Sequence, residues 1–185
     1  MCFPTIRSPV AGSLGIDGMN QDNNTVFGIQ TFPAAVLRRK AEPVQEIDAS
    51  VKGLIDGMAD LMYRLDGVGL AAPQAGVSKR VIVLDVGEGL FSLVNPEIID
   101  RQDEEETVDE GCLSLPEIRV NVHRPKSITI RGLNADGEAI VKTVDGLWAR
   151  AFQHEIDHLN GVLIIDHASM VQKTLLKAKL RQFRR

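Results

Sequence analysis

Apolar residues recur at Val51, Leu54, Ile55, Met58, Leu61 and Met62, the spacing of a helix that buries one stripe. Asp48 stands where an N-cap belongs, and the pattern fades between Leu65 and Gly67. The rhythm then changes. Arg80 to Val86 is rich in β-branched residues and reads as a strand, and Phe91 to Ile99 as another, broken by Asn95-Pro96. Arg119 to His123 and Ser127 to Arg131 alternate, Asn134 to Gly137 supplies a turn, and Ala139 to Val144 completes an antiparallel set. Helical spacing returns from Leu147 to Asn160 through Leu147, Ala151, Ile156 and Leu159, with Gly161 as the stop. Val162 to Ile165 reads as a short apolar strand. Ser169 caps a last expected helix whose Val171, Leu175, Leu176, Leu180 and Phe183 share one face among Lys173, Lys177, Lys179, Arg181, Arg184 and Arg185.

Other stretches have no period. Residues 1–30 mix Pro, Gly, Ser, Asn and Gln and read as a flexible leader before a single domain over 31–185. Phe32 to Pro43 is an irregular approach, with Arg38, Arg39 and Lys40 as a solvated face. Gly67 to Gly76, GVGLAAPQAG, is too rich in small residues for a regular element and suits close approach of backbone to an extended ligand. It lacks the Lys-Ser/Thr ending of a P-loop and the spacing of a dinucleotide fingerprint. Seven acidic residues lie between Asp100 and Glu110 and read as a solvated loop or strand edge.

A length of 185 residues with 44% apolar and 25% charged positions is that of one ordinary globular domain. The net charge of -4 argues against a surface built for nucleic acid, and no DNA partner is expected. Two cysteines, Cys2 and Cys112, are too few for a disulfide framework and point to a reducing compartment. No apolar run approaches the roughly 18 residues that cross a bilayer, so a cytoplasmic location without membrane contact is expected.

The chemistry concentrates in Gln153 to Gly161, QHEIDHLNG. On a helix, His154 and His158 project from one face and can grip one metal ion, with Glu155 beside it to handle a proton. The bland alternative is a surface helix that carries two histidines, but the chain has only four. Two imidazoles leave a catalytic ion under-coordinated. No Glu follows Glu155, the position of a metzincin's third His is Ile164, and Asp166 and His167 match no ligand spacing. Cys112, within EGCLS, is the strongest upstream candidate because a thiolate is an excellent ligand for a divalent ion; its alternative is an inert core cysteine.

GVGLAAPQ (67–74), EGCLS (110–114) and QHEIDHLNG (153–161), in this order, closely resemble the three motifs of the peptide deformylase family. The resemblance runs from about Gln30 to the C-terminus. It implies an α+β fold in which antiparallel sheets wrap around a central HExxH helix, with one helix before and one after, and this agrees with the pattern above. It implies that Cys112, His154 and His158 hold one divalent ion, typically Fe2+, with Zn2+, Ni2+ or Co2+ as substitutes. Glu155 then acts as general base and acid, and the Gln74 amide and the Leu113 N–H stabilise the oxyanion. The implied reaction removes the N-formyl group from the methionine of nascent polypeptides. Val68, Gly69 and Gly111 would offer backbone to an extended peptide; Val68, Val108, Leu147 and Ala151 would line a methionine slot with Glu110 and Arg150 at its rim. Arg119 would meet the peptide backbone or carboxylate, or stand as a surface arginine. Ala34-Ala35 departs from the family's frequent Asp-Pro. The basic C-terminal helix is either a solvated face or a dock for ribosomal RNA. Rival readings are a metallopeptidase and a non-catalytic relative that binds metal or peptide.

Overall fold

The computed structural model describes residues 27–183, so the leader as far as residue 26 and the terminal Arg184 and Arg185 lie outside the described residues. Helix α1, Ala49–Arg64, begins where the Asp48 carboxylate accepts the Val51 N–H at 2.9 Å. Its expected stripe is buried, with Met58 and Met62 wholly enclosed. Phe27 and Ile29 pack against the same apolar cluster, and Gln30 N–H donates to the Gln74 carbonyl at 2.7 Å. The chain is thus engaged with the fold four residues before the expected boundary at residue 31. The approach segment contains a 3-10 turn, Ala35–Arg38, whose Leu37 is buried, and Arg38 pairs with Asp166 rather than facing solvent alone.

Two antiparallel sheets follow. The larger runs in the order β1 (Gly69–Ala71), β2 (Val81–Leu84), β3 (Phe91–Arg101), β6 (Ser127–Leu133) and β7 (Ala139–Asp145). The smaller is a hairpin of β4 (Glu105–Cys112) and β5 (Leu115–Pro125). Three departures from expectation have local causes. The Gly-rich stretch does hold a regular element, since β1 occupies it and a 3-10 turn, Ala72–Ala75, follows. Asn95-Pro96 bulges β3 without ending it: Asn95 takes φ 52, and its side chain exchanges hydrogen bonds of 2.9 and 2.8 Å with the Val44 backbone. Pairing resumes at Glu97 and runs on to Arg101. The acidic stretch is an exposed loop at residues 102–104 and an edge strand in its second half, β4 paired to β5, and it departs from expectation only at its end, where Glu110 is buried.

Helix α2, Gly146–Leu159, carries the two histidines and packs against β1, β2, β3, β6 and β7 on one side and β5 on the other. It is buried nearly all round from Ala149 to Leu159, with Phe152 completely enclosed. Gly161 stops it at φ 75, where a Cβ would stand 2.8 Å from the Arg38 carbonyl oxygen. The expected strand over Val162 to Ile165 does not form: Val162 and Leu163 have no regular structure, and Ile164 and Ile165 open a helical turn, α3 (Ile164–His167). The Asp166 carboxylate draws that turn closed by accepting the Leu163 N–H at 2.8 Å. Helix α4, Met170–Gln182, is capped by Ser169 as expected, but its apolar face is split. Leu176, Leu180 and Phe183 rest on the core, whereas Val171 and Leu175 are 70% and 74% exposed. Residues 175 and 176 point about 100° apart on a helix, so one stripe cannot seat both.

Candidate metal centre

Cys112 ends β4, and a two-residue turn returns the chain at Leu115, its pairing partner on β5. That hairpin tip presses the thiol against α2. His154 and His158 meet it one helical turn apart, with ring centroids 5.0 Å from each other. One ligand atom from each of Cys112, His154 and His158 lies within 4.8 Å of the others, and all three residues are buried. Cys112 Sγ is 3.2 Å from His158 Nε2.

The orientation of His154 follows from its neighbours. Glu110, wholly buried, is held by a fork from Arg124, with Nε donating to Oε1 at 2.7 Å and Nη2 to Oε2 at 3.1 Å. Burial works against the Glu110 charge, but hydrogen bonds from His154 and Arg124 outweigh it and hold its pKa at about 2. An ionised carboxylate only accepts, so His154 Nδ1, 3.0 Å away, must donate. Nε2 then faces the cluster, buried and without a hydrogen-bond partner among the described residues. That orphaned nitrogen, a second imidazole and a thiol fit a divalent ion with affinity for nitrogen and sulfur. Burial would raise the Cys112 pKa, yet His158 and His154 pull it well below the usual thiol range. Burial would lower that of His154, yet Cys112 and Glu110 raise it to about 9. Metal binding therefore has to displace a proton held on this cluster.

Glu155 is completely buried on the same helix. A Cβ at Gly69 would stand 2.5 Å from its Oε1, which explains a glycine where β1 crosses α2. Gln74 is fixed at both ends of its amide: Oε1 accepts the Ala71 N–H at 2.8 Å, and Nε2 donates to Ser114 Oγ at 3.2 Å and faces Cys112 Sγ at 3.7 Å. Leu113, half-buried, is the next residue after the thiol and packs toward the α1 cluster.

The expected substrate contacts divide. Among the described residues β1 pairs with β2 alone and β4 with β5 alone, so one edge of each faces away from its sheet partner. Gly69 and the buried Gly111 lie on these two strands. The Val68 carbonyl does not offer itself, because it accepts the Asp85 N–H at 3.0 Å; its side chain borders the main core with Val86 and Trp148. Val108 and Leu147 are half-buried, and Ala151 is fully enclosed in the core cluster. Glu110 is not at a rim: it is the buried partner of His154 and Arg124. Arg119 is engaged within the hairpin, paired with the Asp109 carboxylate and donating to the Asp109 carbonyl at 3.2 Å. Arg150 forms an ion pair with Glu106 from α2 to β4. The sequence reading passed over Arg124 and Ser114. Arg124 had a signal, because Ile118, Val120, Val122 and Arg124 occupy alternate inward positions of β5.

The model of the polypeptide deformylase family matches residues 26–174. A peptide deformylase of Thermotoga petrophila is 47% identical over 160 residues, covering 86% of this chain and 98% of that protein. One of Carboxydothermus hydrogenoformans is 54% identical over 146 residues, covering 79% and 95%. Among solved structures, the peptide deformylase of Thermotoga maritima superposes with a TM-score of 0.76 at 49% identity, covering 78% of this chain and 98% of that one. That of Plasmodium falciparum gives 0.81 at 36% identity, covering 84% and 94%.

Proposed function

The chain belongs to the polypeptide deformylase family, metal-dependent hydrolases that remove the N-formyl group from new polypeptides, and from that premise we propose how its own residues divide the work. Cys112, His154 and His158 hold one divalent ion, Fe2+ in this reading, with Zn2+, Ni2+ or Co2+ as substitutes. The observation that carries it is the convergence of their three ligand atoms within 4.8 Å in a buried site beside Glu155. When bound, such an ion acts as a Lewis acid and lowers the pKa of water from about 15.7 to about 7.

Glu155 takes the proton of the attacking water and delivers it to the departing amine. As water adds to the formyl carbon, the formyl oxygen gains charge. Gln74 Nε2, whose contact with sulfur at 3.7 Å is weak and easily exchanged, and the Leu113 N–H donate to that oxygen. The products are formate and a peptide with a free amino terminus. An N-formyl-methionyl nascent peptide lies extended between β1 and β4, a form of strand addition to which Gly69 and Gly111 offer backbone. Val68, Val108, Leu147 and Ala151 flank its methionine, with the Arg150–Glu106 pair beyond them. A single catalytic domain does this in the cytoplasm, and the basic face of α4 docks on ribosomal RNA. No described helix is long and apolar enough to cross a membrane.

The test is formate release from formyl-Met-Ala-Ser, measured anaerobically with iron(II). Glu155→Ala is expected to lower kcat by about 10²–10⁴-fold with metal retained, and Cys112→Ser to weaken metal binding. Full activity in either variant overturns the assignment. Cleavage of an unformylated peptide by the wild type would favour a metallopeptidase, and no turnover of either a non-catalytic binder.

A further inference from the structure

Four side chains link the surface to the inner ligand His154. His167, the last residue of α3 and 31% exposed, lies with Nε2 2.8 Å from Asp157 Oδ2. The same oxygen accepts Arg124 Nη1 at 2.9 Å, and the Arg124 fork closes on Glu110, which in turn holds His154 Nδ1. The proposed reaction uses only the inner end of this chain.

The outer end has a mechanical consequence. One guanidinium serves two carboxylates, so its plane is set by both, and the Glu110 fork is square only while Asp157 anchors Nη1. Asp157 is 24% exposed beside a cavity of about 210 Å3 that His123, Arg124, Gln153 and His167 also line, so water competes for its oxygens. An aspartate side chain left to water can rotate away and take Nη1 with it. His167 prevents this by donating to the oxygen that Arg124 uses. The same oxygen already accepts Arg124 Nη1, and a carboxylate paired with a guanidinium only accepts, so His167 Nε2 is the donor. On its other side, α3 shares the apolar cluster of Cys112 through Leu163, Ile164 and Ile165.

We propose that His167 and Asp157 are positioning residues of the metal centre, holding Arg124, and through it Glu110 and the His154 ring, in the orientation that binds the ion. The inference rests on the His2Cys reading above.

The test is the rate at which excess chelator strips cobalt(II) from the full chain, with the visible cobalt spectrum followed alongside. His167→Leu is expected to release cobalt about tenfold faster than wild type and to shift the cobalt bands, with the KM for a formyl-methionyl peptide unchanged. His167→Gln, whose amide restores a donor to Asp157, is expected to return release to within about twofold of wild type. If the Leu variant does not fold, Asp157→Asn carries the same expectation of faster release. Release from His167→Leu, or from Asp157→Asn in its place, within about twofold of wild type overturns the proposal. So does equal acceleration by Leu and Gln, which would mark lost ring packing rather than a lost donor. Cys112→Ser separates the two readings: if it holds cobalt as wild type does, the His2Cys assignment has failed. If it loses cobalt while His167→Leu keeps it, only the positioning role has.

Discussion

A methyl group at position 69 would meet Glu155 Oε1 at 2.5 Å and Leu84 Cδ2 at 2.9 Å. Of the two, the carboxylate is the more easily moved, so the strain falls on the proposed proton carrier rather than on the sheet. Gly69→Ala is therefore expected to lower kcat by about 10²-fold, the scale of a 1 Å misplacement at a reacting group, while the far-UV circular dichroism stays unchanged. Formate release and metal content measured on one preparation check this; normal turnover would show that Glu155 tolerates the displacement and is not held by contact. The same few ångströms explain the composition of the Gly-rich stretch. Gly67 and Gly69 are small because Leu113 and Glu155 press on them, and neither contact has anything to do with phosphate.

At the scale of elements, the helices differ in how far their pattern reaches. In α1 the cap, the stripe and the buried face coincide, because a helix lying on one side of a core needs a single stripe. In α2 the stripe understates the burial, because sheets cover it from two sides. Helix α4 is the reverse: its pattern promises one apolar face, and the core accepts only Leu176, Leu180 and Phe183. Its lysines stand outward, and with the exposed Met170, Val171 and Leu175 they form the surface proposed to dock. Replacing Lys173, Lys177, Lys179 and Arg181 together by Gln leaves the seated stripe intact. Co-sedimentation with ribosomes over a salt series is expected to weaken, with the slope of log K against log salt falling by about 3, while a short formylated peptide is turned over normally. Binding that is unchanged and insensitive to salt counts against docking.

At the scale of the whole molecule, Arg124 is the joint between the hairpin and α2, reaching Glu110 on β4 and Asp157 on α2 from β5. Its loss leaves the buried Glu110 with only the His154 hydrogen bond, and breaking such a buried ion pair costs about 3–5 kcal/mol. The pH dependence has a definite sign. The folded pKa of Glu110 is about 2 against an ordinary 4.5, so its pairing stabilises the fold above the ordinary value. That contribution is lost as pH falls from 4.5 toward 2. Arg124→Met is thus expected to be less stable than wild type at pH 7, with the difference shrinking through that acid window. Urea unfolding of the metal-free proteins at a series of pH values measures it. A difference constant from pH 7 to pH 2 would mean that the pair contributes packing and no charge interaction.

By itself, the order of residues determined whatever depends on neighbours along the chain. The i, i+4 spacing of His154 and His158 places both rings on one face in any helix, Asp48 caps any helix that starts after it, and three motifs carried enough likeness to point to Cys112, Gln74 and Glu155. Alternation along β5 carried a signal for Arg124 too, but a pattern read from Arg119 to His123 stops one residue short of it. What it did not contain is what each inward face meets. Whether Glu110 lines a slot or grips a histidine depends on α2 crossing β4 at that residue. Whether Ile164 and Ile165 extend a strand or turn into a helix depends on the Asp166 carboxylate, since four apolar residues carry no period of their own. The tertiary structure alone decided these points, because it brings together groups 44 residues apart, such as Glu110 and His154, at hydrogen-bonding distance.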